Sequence, residues 1–160
     1  MENLLHSPLG LVHLIFALVA TITGSFVLGI RKGTKTHKRV GYTYFVSMVG
    51  LNGTAFMIYG LFGYFGVFHW AAVFSSLTIL AGMIPIIKKK KGWIYRHFNF
   101  MYWSVIGLYA AFAAETLTRV PETPFFGMVG IATGLIVLMG AIGLIRYRKK
   151  WAAQFGHLSK

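Results

Sequence analysis

The chain has 160 residues, of which 56% are hydrophobic and 12% charged, about half the roughly 25% of charged residues that soluble domains carry. That composition excludes an ordinary soluble globule. The 16 Lys and Arg outnumber three acids (Glu2, Glu115 and Glu122), for a net charge of +13, so the excess has to be read against a membrane before it is read against nucleic acid.

Cysteine is absent, which excludes disulfide frameworks, thiolate metal sites and thioether-linked haem. Five apolar segments, 9–30, 40–61, 67–87, 98–117 and 125–145, are long enough to cross a hydrocarbon core of about 30 Å, which takes about 20 residues of helix. None holds a Lys or Arg.

The first segment opens after Pro8, whose missing N–H costs nothing at a helix start. It is preceded by Glu2 and His6 and by no basic residue, so it is expected to persist and not to be cleaved as a signal peptide. The second follows Arg31, Lys32, Lys35, Lys38 and Arg39. The third comes after the short gap 62–66 and carries Pro85 in its last turn. The fourth follows Lys88 to Lys91 and Arg96, and contains Glu115, the one acid inside any segment. The fifth starts beside Pro124, and Arg146, Arg148, Lys149 and Lys150 follow it. Short connections predict an all-α integral membrane protein, one antiparallel bundle of five transmembrane helices over 1–160.

The basic gaps fix the expected orientation. Fifteen of the 16 Lys and Arg fall in the first gap, the third gap and the tail, and only Arg119 falls elsewhere. Translocating such residues is costly, so these gaps are expected inside, with the N-terminus outside and the C-terminus cytoplasmic. This predicts a multi-pass protein of the cytoplasmic (inner) membrane, whose basic margin attracts anionic lipid headgroups. It leaves no case for nucleic acid. Dense glycine within the segments predicts close helix packing.

Of six histidines, His6 and His157 lie in terminal segments. The other four fall one per helix and alternate in level: His13 outer, His37 inner, His69 outer, His97 inner. Pairing by level joins His13 with His69 and His37 with His97, and opposed imidazoles across a bundle axis are what axial ligation of haem iron requires. Glu115 stands eighteen residues after His97, five helical turns, and so shares its face at the outer level. Met101, Ser104, Leu108 and Ala111 are on that face, and Ala17, Ala20 and Gly24 are on the face of His13. Phe16, Phe45, Phe74 and Tyr102 are at intermediate depth, where they could fill the space between two haems.

Other readings use the same residues. His13, His69 and Glu115 are the two nitrogens and one carboxylate of a zinc site with an open position, the pattern of a hydrolase. A cofactor-free membrane subunit or proton-coupled transporter would relay protons through Glu115 and the histidines. Each histidine could also bond water or phosphate at headgroup depth, and Glu115 could pair with Arg119 one turn on. No HExxH, P-loop or serine elbow occurs.

The stretch His37-Lys-Arg-Val-Gly-Tyr opening a helix, His69 opening the next, and His97 with Met101 resemble a family of small bacterial membrane proteins of unknown function, over about residues 10 to 120. The alternating histidines also resemble the di-haem transmembrane b-type cytochromes of the ascorbate-dependent ferric reductase type. That resemblance implies two b haems, an outer one on His13 and His69 and an inner one on His37 and His97. They would carry electrons between an unidentified donor and acceptor as a transmembrane oxidoreductase, and helices two and four would begin earlier than hydropathy places them. Helix five, without a histidine, would seal the bundle or pair subunits as a homodimer.

Overall fold

The computed structural model describes residues 7–59, 63–89, 91–117 and 124–155. Five α-helices follow in order: α1 Pro8–Gly29, α2 Lys35–Ala55, α3 Val67–Lys88, α4 Trp93–Leu117 and α5 Phe125–Phe155. No strand occurs among the described residues. Four of the helices, α1, α3, α4 and α5, are long and apolar enough to cross a membrane. α2 falls below that measure because it begins at Lys35, five residues ahead of the apolar segment, and ends at Ala55. It takes in Lys35, Lys38 and Arg39 and leaves the apolar residues after Ala55 outside the helix.

The starts of α1 and α2 are set by local chemistry. Ser7 caps α1, its hydroxyl accepting from the Gly10 N–H at 2.9 Å, with Pro8 just inside the helix. Thr34 caps α2 in the same way, accepting from the His37 N–H at 3.1 Å. A hydroxyl at this position satisfies one of the four N–H groups a helix start leaves unpaired. The cap therefore sets the first residue of α2, and the hydropathy step at Val40 does not. α4 also starts five residues early, at Trp93, after Gly92 turns the chain with φ +74°. α5 runs ten residues beyond the apolar segment, to Phe155.

The chain forms two compact units, Met1–Leu80 and Ala81–Lys160, with the boundary inside α3.

In the first unit α1 and α2 pack antiparallel. His13 meets Thr54, the Phe16 ring covers Gly50, and Val27 approaches Gly41. Ala20, Val27, Tyr44, Met48 and Leu51 are buried. A Cβ added at Gly50 would stand 2.6 Å from the ring carbons of Phe16, so hydrogen is the only substituent the contact admits. In the second unit α4 and α5 also run antiparallel. The buried Tyr102 hydroxyl donates to the Gly140 carbonyl at 2.7 Å, and Ile106 lies on Gly140. Trp151 lies against Phe98, Tyr102 and Tyr147 with ring centroids 5.4–5.7 Å apart. Tyr102 is therefore committed to the α4–α5 seam, and Phe74 is 64% exposed.

Lys32, one of the basic residues read as membrane margin, is only 6% exposed. Its ammonium donates to the carbonyls of Val27 at 2.7 Å, Leu28 at 2.7 Å and Ile30 at 3.1 Å. A cation there satisfies carbonyls that a helix end leaves unpaired and lies at the negative end of the helix dipole. Burial lowers its pKa from 10.5 to about 8.

Substituting Gly50 with Ala forces the Phe16 ring aside and should destabilise the protein by about 1–3 kcal/mol. Gly53→Ala meets nothing within 4 Å and should be neutral or stabilising by up to about 1 kcal/mol; melting both variants in one detergent checks the contrast. For Lys32, the folded pKa lies below the unfolded one, so between about 8 and 10.5 the unfolded chain holds more protons and stability rises with pH. Lys32→Met should show a smaller rise than the parent across that window in thermal melts at stepped pH.

Candidate functional site

His13 lies in α1, His37 in the first turn of α2, His69 in the first turn of α3 and His97 in α4, whereas the apolar segments leave His37 and His97 just ahead of their helices. The early starts of α2 and α4 put His37 and His97 inside helices, as a ligating role for them requires. His6, His157 and Arg119 lie outside the described residues.

What each imidazole can do depends on which nitrogen carries the proton, and the hydrogen bond at Nδ1 sets that. His97 is half-buried, and its Nδ1 is 2.8 Å from the Gly82 carbonyl oxygen. A carbonyl only accepts, so Nδ1 holds the proton and Nε2 keeps its lone pair. This is the arrangement that orients metal-bound histidines. A Cβ at Gly82 would stand 2.6 Å from the Met101 sulfur, so the flexible Met101 side chain would have to shift to admit one. Met101, Ser104 and Leu108, assigned to the face of His97, are buried.

His13, also half-buried, has Nδ1 2.9 Å from Thr54 Oγ1. The Thr54 hydroxyl lies 2.9 Å from both the Gly50 and Leu51 carbonyls. A hydroxyl can also donate to an imidazole nitrogen, so this contact, unlike that of His97 with a carbonyl, is compatible with either tautomer of His13. On its face of α1, Ala20 and Gly24 are buried.

His69 is arranged the other way round from His97. It is 4% exposed, and its Nδ1 accepts from the Gly66 N–H at 3.1 Å. The neutral ring then carries its proton on Nε2, which is buried without a hydrogen-bond partner. Leaving such a group unpaired costs about 1–3 kcal/mol. Nε2 in that state has no lone pair to give a metal, so the expected match of His69 with His13 as two equivalent axial ligands is not met in this arrangement. The rings of Tyr59 and Phe65 lie 4.6 and 4.8 Å from the imidazole, inclined by 35° and 32°.

His37 is half-buried, and its main-chain N–H is taken by the Thr34 cap. Glu115 is half-buried on α4. Among the described residues, no group of three or more His, Asp or Glu side chains converges as metal ligands would, which leaves the zinc reading of His13, His69 and Glu115 without support. Thr54, Gly66 and Gly82 were not singled out by sequence reasoning. Thr54 could have been found by carrying the antiparallel level count from α1 to α2. The other two are backbone partners with no side-chain signal.

The tautomers are open to direct measurement. With 15N-histidine incorporated, imidazole NMR should show Nδ1 protonated and Nε2 unprotonated for His97, and the reverse for His69. Assignment by His97→Gln and His69→Gln separates the two, and identical tautomers would contradict the hydrogen bonding described.

Residues 10–150 match the model of a family described as "Predicted membrane protein (DUF2306)". The match takes in all of α4 and most of α5, beyond the 10 to 120 that the sequence motifs carried. No curated protein and no solved structure matches the chain.

Proposed function

The chain belongs to the DUF2306 family of predicted membrane proteins, and within it we propose a b-type cytochrome in which His97 is an axial haem ligand. The protein is a multi-pass membrane protein by its family and its apolar helices. The observation that carries the haem reading is the 2.8 Å contact of His97 Nδ1 with the Gly82 carbonyl, which fixes the ring and leaves Nε2 as donor to a metal. The alternation of histidines along the chain nominates His37 as the opposing ligand.

Bound haem would supply one-electron chemistry. The chain's own part is to hold the imidazole, keep water from it and offset the propionate charge. Lys38, Arg39, Lys88, Lys89 and Arg96 lie within nine residues of His37 or His97, and ammonium or guanidinium groups pair well with carboxylates. By the same excess of Lys and Arg, we place that haem toward the cytoplasmic side. His69 as placed has no Nε2 lone pair to offer, so the reading commits to one bis-histidine haem on His37 and His97.

Protein made with haem available should purify red and give the sharp visible bands of low-spin, six-coordinate iron on reduction, at about one haem per chain. His97→Ala should abolish these bands and His69→Phe should retain them. A colourless preparation from haem-replete cells would overturn the assignment.

A further inference from the structure

One end of the first unit holds polar groups that the haem reading does not use. The His13–Thr54 contact puts the second turn of α1 beside the last turn of α2. Tyr59, four residues beyond α2, rests on His69 in the first turn of α3. Two side chains here are buried with a nitrogen lacking any hydrogen-bond partner: His69 at Nε2, and Asn52, 6% exposed in the last turn of α2, at Nδ2. Buried polar atoms are paired in the great majority of cases, and each exception calls for a reason.

Both atoms are donors. The Gly66 N–H uses the Nδ1 lone pair of His69, so Nε2 presents N–H, and an amide nitrogen presents only N–H. Neighbouring rings do not answer the need at His69. Tyr59 and Phe65 incline by only 35° and 32° to the imidazole and so cover its face, while Nε2–H projects in the ring plane. The described segments that make this end, residues 7–16, 50–59 and 63–72, contain no Lys, Arg, Asp or Glu, so among the described residues no such side chain would neutralise an anion. The missing partner is an uncharged acceptor.

Aromatic side chains frame the place. Tyr59 is 44%, Phe65 41% and Trp70 56% exposed, and in a membrane protein such rings meet lipid. We propose that this end binds the headgroup of a membrane-soluble quinone, one carbonyl oxygen accepting from His69 Nε2–H. A quinone is uncharged, flat and soluble in the bilayer, and its carbonyls accept without donating. Asn52 Nδ2 is the second donor available at the same end. The site uses no haem ligand assigned above and stands or falls separately from that assignment.

A lipid ester carbonyl has the same acceptor chemistry, so the test separates the two sources. The full-length protein is placed in nanodiscs of ester lipids and, in parallel, of ether lipids that lack the carbonyl. A decyl-substituted dimethoxybenzoquinone is titrated in, with tryptophan quenching as readout and the 15N shift of His69 Nε2 as its local check. Saturable binding and a moved Nε2 resonance are expected in both lipids. His69→Phe keeps the flat ring and loses the donor, and should weaken binding about tenfold, the scale of one desolvated hydrogen bond. His69→Gln, which keeps an N–H, should recover most of it.

An equal dissociation constant in parent and His69→Phe overturns the proposal, as does quenching that never saturates. An Nε2 shift that responds to ester against ether lipid but not to quinone assigns the donor to lipid and also overturns it. Loss of half the haem from His69→Phe would make His69 a haem ligand and refute both the site and the one-haem reading. Unchanged haem with weakened quinone binding supports both, and quinone binding by a colourless protein supports the site alone.

Discussion

A hydrocarbon slab offers no partner to a peptide N–H or C=O, so every such group along a crossing segment has to find one within the protein. That requirement makes the described chain helical nearly throughout, and it leaves the problem of the helix ends, where the ladder runs out. Here the ends are met by specific side chains. Ser7 and Thr34 take up N–H groups at the starts of α1 and α2, and a buried Lys32 gathers three carbonyls around the end of α1. At the start of α3 the Gly66 N–H goes to the ring of His69. The same need that shapes the fold thereby sets the protonation of a histidine, and so its chemistry.

The apolar runs located α1 and α3 to within a residue at each end, because in those helices the hydropathy step and the end of the helix coincide. At α2, α4 and α5 they do not. Hydropathy measures which residues lipid tolerates, whereas Lys35 to Arg39, Trp93 to His97 and Arg146 to Phe155 are helical although polar or charged residues run through them. A hydroxyl cap at Thr34 and the turn at Gly92 outweigh that signal.

The helix to which each histidine belongs was legible, since it follows from the order of the apolar runs. The hydrogen-bond partners were not. The Nδ1 partner of His13 is Thr54, 41 residues away, and that of His97 is the backbone of Gly82, 15 residues away; neither partner has a residue type that announces the role. Lys32 shows the same limit. As a letter it is one of five basic residues in its gap, and what distinguishes it is the local fold of the chain after α1, which brings its ammonium back onto carbonyls two to five residues earlier. His69 and His97 are alike in sequence as helix histidines, yet one accepts at Nδ1 and the other donates.

The last ten residues of α5 put the basic tail in a different light. At about 1.5 Å per residue, the helix from Arg146 to Phe155 is a spoke of about 15 Å, and Trp151 is fastened by ring contacts to Phe98 and Tyr102 of α4. Arg146, Arg148, Lys149 and Lys150, all exposed, are therefore held at fixed heights and bearings and not spread through the volume a loose tail would sweep. Their field has a direction relative to α4. An anion approaching the second unit meets a different potential on different sides of that spoke, which the count of +13 cannot convey.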